Sequence, residues 1–280
     1  MVDLENPNVK EESELDNLRE INTSQEVEKR YLPTDGEKTI ARLLGKSEEG
    51  LKSEFYLYKV KELMKRVGLT LKTANSQKEI EQRISASKKA GVEEIFITPF
   101  YHSVVRLIKP SESKGLKTSI AIDYPLGEQT VKQKVVGVRE SCKNKADFIY
   151  CSVAVDSIKL SCFGEEKRKI LKSRKACKKP FGIIINANVS LDDLQKILKN
   201  TENLRIDSIL IDGTESMESQ TVQVLTTANG LKGRRKIHLL SNVKSAYELC
   251  SFVDAGADKV YTPYAFNIGQ ELMAKAQITI

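Results

Sequence analysis

A (β/α)8 TIM barrel of the α/β class, with an N-terminal extension, is the fold this sequence predicts, and three observations predict it. Short apolar, β-branched runs recur from Val67 onward, eight in all, each followed by a stretch of helical periodicity. Neighbouring parallel strands need a crossover helix between them, so eight such alternations read as a closed barrel. The length of 280 residues suits one barrel of roughly 200–250 residues plus an extension. Cap and stop residues also fall at the joints between runs, so local and global signals agree.

Residues 1–50 are predicted to be an acidic, partly flexible extension, and residues 51–280 the barrel domain. The extension holds 13 acidic and 7 basic residues, net −6, so the rest of the chain carries +13 of a total of +7. Pro7 and Pro33 interrupt it, the stretch Glu11–Arg30 can form a short helix, and the composition predicts flexibility over the first ~30 residues. From Ser53 to Lys65, the spacing of Phe55, Leu57, Val60, Leu63 and Met64 predicts a helix ahead of the barrel.

The first and weakest strand is Val67–Lys72. Ser76 is a suitable N-cap for a helix running through Ile80 and Ile84 to Lys89, with Gly91 as its stop. The remaining strands are Glu94–Thr98, Thr118–Asp123, Asp147–Val153, Phe181–Asn186, Asp207–Asp212, Lys236–Ser241 and Asp258–Thr262. Ser190, followed by Asp192 and Asp193, opens a helix with a capping hydroxyl and early acids that suit the helix dipole. Asp147 and Asp258, just before their strands, are predicted to brace the lower face of the barrel.

Composition excludes several classes. No apolar stretch approaches the ~20 residues of a membrane span. The first residues have neither a basic nor an apolar signal region, so the expected location is cytoplasmic. Five cysteines without a CxxC spacing read as reduced structural thiols. The two histidines, His102 and His238, lack supporting Cys or carboxylate spacing, so no metal and no cofactor is expected. The sharpest basic run, Lys167–Lys179, keeps Ile170 and Leu171 on one face and reads as a solvated outer helix. It has no interleaved aromatic, so nucleic acid is not the expected partner, while an acidic peptide or anionic lipid stays open.

The segment Asp123-Tyr-Pro-Leu-Gly127, the helix with Val131, Lys134 and Arg139-Glu140, and the run Lys145-Ala-Asp-Phe-Ile149 resemble deoxyribose-phosphate aldolases. Ile97-Thr-Pro99, Ser241-Asn-Val-Lys-Ser245 and Asp254-Ala-Gly-Ala-Asp258 extend the resemblance over about residues 67–270. The resemblance implies a class I aldolase barrel. In that chemistry a lysine amine forms a Schiff base with an aldehyde, and a second lysine lowers its pKa. An aspartate and water move the proton, and a glycine-rich nest holds phosphate.

Carried over residue by residue, the Schiff-base lysine falls on Leu210, the second lysine on His238 and the proton-shuttling aspartate on Tyr150. A further aspartate near the first strand falls around Val67. The phosphate-site glycines after the seventh strand become Ser241 and Asn242, and the family's Gly-Thr-Ser-x-Gly run after the eighth becomes Tyr261, Thr262, Pro263, Tyr264 and Ala265. Glycine allows close backbone approach to an anion, whereas Pro263 removes an N–H donor. The terminal tyrosine of some members has no counterpart in Ile278-Thr-Ile280. Lys236 shares a face with His238 but lies about 6.5 Å lower, at ~3.3 Å per residue; Lys244 replaces a family arginine outside the barrel, and Lys259 reads as a surface lysine at a strand start.

His238 reads first as a histidine satisfied by hydrogen bonds. Tyr150, Tyr261 and Tyr264, with Asp123 and Asp212, can either line a remodelled pocket at the C-terminal face or fill it. The expectation is therefore a catalytically inactive aldolase-like protein that binds or scaffolds a protein partner, using the acidic arm, the basic helix or the altered mouth. Two alternatives remain: an active lyase cleaving 2-deoxyribose 5-phosphate to glyceraldehyde 3-phosphate and acetaldehyde, and a small-molecule sensor taking a sugar or phosphate ligand in the mouth. The resemblance also implies a homodimer.

Overall fold

A computed structural model describes residues 58–71, 76–105, 115–156 and 162–278. The chain divides into two compact units, Val60–Met273 and a second made of Met1–Lys59 with Ala274–Ile280. The first unit is the barrel. The acidic extension over 1–50, the Glu11–Arg30 helix and the residues Phe55 and Leu57 lie outside the described residues. What is described of the helix ahead of the barrel ends at residue 64, with Val60 and Met64 buried.

Strand and helix alternate throughout. They are β1 (Val67–Thr70), α1 (Gln77–Lys89), β2 (Glu94–Ile97), α2 (Pro99–Val105), β3 (Lys117–Ile122), α3 (Val131–Lys143), β4 (Phe148–Ser152) and α4 (Phe163–Ala176). There follow β5 (Phe181–Asn186), α5 (Leu191–Thr201), β6 (Ser208–Asp212), α6 (Glu218–Leu231), β7 (Lys236–Leu240), α7 (Ala246–Asp254), β8 (Lys259–Thr262) and α8 (Ala265–Ile278). Every strand pairs in parallel with its sequence neighbour, and β8 returns to β1, so the sheet closes into a barrel in the order β1 to β8. The predicted (β/α)8 fold is the observed one.

The local reasons match the sequence. Ser76, Ser190 and Ser245 each accept the backbone N–H three residues on, satisfying one orphan donor at a helix start. Thr130 and Gln133 form a reciprocal capping box at α3. The strands are buried on both faces, inward residues packing in the barrel and outward ones under the helices, which explains their continuous apolar runs.

The lower face is braced by a repeated device. Asp147 accepts from Thr118 N, Asp207 from Phe181 N and Asp258 from Ile237 N, each at 2.8 Å. An aspartate one residue ahead of an even-numbered strand thus ties down the odd-numbered strand before it. Asp147 and Asp258 act as predicted, and Asp207 joins them.

The basic run occupies α4 and continues past its end, but the buried face of this helix carries two charged residues, Glu166 and Lys169, beside Ile170 and Ser173. Lys134 of α3 lies against it, fully buried, with Nζ 2.6 Å from Ser152 O, 3.2 Å from Asp123 and 3.4 Å from Glu166. Lys169 reaches the other Glu166 oxygen at 3.2 Å. Two ammonium groups and two carboxylates therefore neutralise one another between α3, α4 and the end of β3. That balance is what allows charge at this depth.

Candidate functional site

The barrel interior has two storeys. In the lower one, rings from β2, β4 and β8 fill the lumen: Phe96, Tyr150 and Tyr261, with Phe148 stacked on Tyr150 at 4.5 Å between centroids. Tyr150 and Tyr261 are completely buried, and each fits because the facing residue on the next strand is glycine. A Cβ on Gly182 would stand 2.5 Å from the Tyr150 ring, and one on Gly68 would stand 2.3 Å from the Tyr261 ring. Real Cβ atoms do not approach that closely, so the two tyrosines and two glycines are one packing solution.

The phenol oxygens point down into a polar network. Tyr261 donates to Glu94 Oε1 at 2.5 Å, Ser119 Oγ donates to the same oxygen at 2.6 Å, and Lys259 forms an ion pair with Glu94 Oε2. Ser208 Oγ donates to Tyr150 Oη at 3.1 Å, and Tyr150 Oη lies 2.5 Å from His238 Nδ1. Burial alone would raise the Glu94 pKa, but the Lys259 charge and the three hydrogen bonds hold it below the ordinary value. Burial pushes His238 down to about 4, so its imidazole is neutral near pH 7. Burial, reinforced by the Glu94 charge, raises the pKa values of both tyrosines.

Here the structure brings together the three positions that the resemblance assigns to catalysis. Leu210 is the register partner of His238, and Tyr150 meets His238 by a hydrogen bond. Leu210 is 0 % exposed within the apolar cluster of Phe96, Ala121, Ile184 and Leu240. His238 is a buried, hydrogen-bonded histidine. Lys259 corrects the sequence reading: it is not a surface lysine but a half-buried cation committed to Glu94, 165 residues away in sequence.

Above this storey lies the mouth, a cavity of about 250 Å3 lined by Thr70, Leu71, Phe96, Ile97, Thr98, Tyr124, Pro125, Asn186, Asp212, Glu215 and Leu240. Asp212 is buried and its Oδ1 accepts Thr214 N at 3.1 Å. Burial and the Asp212 charge raise the pKa of Tyr124, which stays a neutral phenol. The lining includes no lysine, arginine or histidine among the described residues. Among the described residues, no group of three or more His, Cys, Asp or Glu could hold a metal ion, and no helix is long and apolar enough to cross a membrane.

Of the candidates named from sequence, Asp212 lines this cavity and the others sit elsewhere. Asp123 turns away from the mouth: at φ +60 its carboxylate meets Lys134 and accepts Gln129 N at 2.8 Å. That backbone region is one aspartate tolerates better than most residues. Tyr150 and Tyr261 lie below the mouth, as fillers rather than liners. Ser241 N donates to Tyr261 O at 3.1 Å, and Asn242 Nδ2 donates to Thr214 O at 3.2 Å. Tyr264 N donates to Thr262 Oγ1, its ring lies 5.8 Å from Lys244 Nζ, and buried Ala265 opens α8 directly after Pro263 and Tyr264.

Sequence reasoning missed Thr70, Thr98, Tyr124, Asn186 and Glu215. Strand parity was the available signal for two of them. Asn186 stands two residues beyond inward-facing Ile184, and Thr98 two beyond Phe96, the same step that leads from Leu210 to Asp212.

No protein-family model matches the chain. It is 26 % identical over 218 residues to the deoxyribose-phosphate aldolase of Dictyoglomus turgidum, covering 74 % of this chain and 95 % of that protein. It is 22 % identical over 210 residues to the deoxyribose-phosphate aldolase of Aquifex aeolicus, covering 73 % and 93 %. Among solved structures, the tetrameric deoxyribose phosphate aldolase from Aeropyrum pernix superposes with a TM-score of 0.64 at 16 % identity, covering 80 % of this chain and 96 % of that one.

Proposed function

We propose that the chain is a member of the deoxyribose-phosphate aldolase family without imine chemistry, serving as a binding module built on the aldolase barrel. The observation that carries this reading is Leu210. The position from which the resemblance requires a Schiff-base amine is a fully buried leucine, walled in by rings that need glycines opposite them. A carbinolamine needs a nucleophilic nitrogen with room for the incoming carbonyl, and a packed aliphatic side chain supplies neither. His238, neutral and hydrogen-bonded to Tyr150, carries no charge near pH 7 with which to depress a neighbouring amine. The inward lysine of β8, Lys259, is held by Glu94 at the opposite end of the barrel from the mouth.

The names of the relatives favour the other reading, an active lyase. Turnover separates the two. The chain at high concentration, incubated with 2-deoxyribose 5-phosphate, is expected to release acetaldehyde no faster than a heat-treated control. Protein-dependent release of acetaldehyde and glyceraldehyde 3-phosphate in equal amounts would establish the lyase instead.

A further inference from the structure

Resting on the binding-module reading, we propose that the C-terminal face of the barrel docks a protein partner that inserts one lysine or arginine side chain into the mouth cavity between flanking apolar contacts. The cavity has the chemistry of such a side chain in reverse. Leu71, Phe96, Ile97, Pro125 and Leu240 offer apolar wall for an aliphatic stem, and Asp212 and Glu215 offer carboxylates for a cationic head. The Tyr124 ring adds a face on which an ammonium or guanidinium can rest. Among the described lining residues the charged ones are the two acids Asp212 and Glu215, beside which a phosphate monoester would meet like charge. At about 250 Å3 the space is smaller than the roughly 300–1,000 Å3 of pockets for drug-sized molecules.

The rim identifies the occupant as a polypeptide rather than a free amine. Three large apolar side chains stand in solvent just after strand ends, Phe100 in the first turn of α2 and Leu126 and Met217 on loops: Phe100 at 72 %, Leu126 at 64 % and Met217 at 72 % exposure. Each is within two residues of a cavity-lining residue, namely Thr98, Pro125 and Glu215. All three follow the C-terminal ends of strands, so the barrel topology puts them on one face. Aromatic residues and methionine are enriched at protein interfaces, and a free amine within the cavity would leave this rim uncovered.

The test uses the full chain and fluorescent N-acetylated pentapeptides, with leucine and phenylalanine flanking a central arginine, lysine, norleucine or glutamate, read by polarisation. The arginine and lysine peptides are expected to bind about tenfold or more tightly than the norleucine and glutamate peptides. Glu215→Lys is expected to abolish that preference, and Phe100→Ser combined with Met217→Ser to weaken binding of every peptide. All three positions are exposed, so unchanged thermal midpoints are expected and serve as folding controls. No binding, equal binding of lysine and norleucine peptides, or indifference to Glu215→Lys would overturn the proposal. If n-butylammonium binds as tightly as the lysine peptide, the site takes a small cation and the docking surface is refuted. Turnover of the sugar phosphate would instead sink the binding-module reading, and it is scored separately from peptide discrimination.

Discussion

The lower storey of the barrel and its mouth are built from the same eight strands, in places only two residues apart, yet they treat polar groups in opposite ways. Below, the charged and polar groups of Glu94, Lys259, Ser119, Ser208, Tyr150, Tyr261 and His238 satisfy one another with no space left over. Above, Asp212 and Glu215 face a cavity with no cation among the described residues of its lining. A buried network is costly to interrupt because each lost partner leaves a desolvated group behind, whereas groups at a cavity exchange protein for water or ligand. The lower storey therefore has the character of structure and the mouth the character of a site, the reverse of what a lysine-based aldolase interior would need.

The contrast is broken most directly by removing one carboxylate from each storey. Glu94→Ala strips the acceptor from Lys259, Tyr261 and Ser119 and should cost about 3 kcal/mol in urea unfolding, the low end for a broken buried ion pair because both partners keep slight exposure. Equal costs for Glu94→Ala and Glu215→Ala would dissolve the distinction.

Acid tests the same storey through His238, whose neighbours are Tyr150, Phe148, Tyr261, Lys259, Glu94, Lys236 and Asp258. Its folded pKa of about 4 lies below the ordinary histidine value of 6.5, so between these pH values the unfolded chain binds the extra proton. Stability should then fall as pH drops from 6.5 towards 4, by roughly 3 kcal/mol if this group acts alone. His238→Gln should flatten the slope in that window. Glu94, with its depressed pKa, adds its own loss only at and below the ordinary glutamate value of 4.5.

Gly182→Ala should cost about 1–3 kcal/mol by forcing the Tyr150 ring aside, and much less in a Tyr150→Leu background, where the ring is gone. Additive effects of the two substitutions would show that ring and glycine are not coupled. Smallest of all, Glu215→Gln in the mouth should change stability by less than about 0.5 kcal/mol.

How much of this could be read from the sequence follows from what local patterns encode. The strands were legible because their apolar runs and the capping Ser76 and Ser190 are local signals, and Asp147 and Asp258 because they sit at fixed offsets from strands. The Glu94–Lys259 pair was not, since nothing short-range links residues at opposite ends of the barrel sequence. Lys134 was hidden by the expectation that lysines face water, although it shares a helix face with Val131, Val138 and Ser141. Tyr150 and Tyr261 were recognisable as bulky replacements. Their fit depends on Gly68 and Gly182, whose register with the tyrosines is fixed only when the barrel closes.

The central claim, that no amine in this barrel builds an imine, is tested most directly by borohydride reduction in the presence of 2-deoxyribose 5-phosphate, followed by intact mass and peptide mapping. The account predicts an unmodified mass. A stoichiometric reduced adduct mapped to one lysine would contradict it.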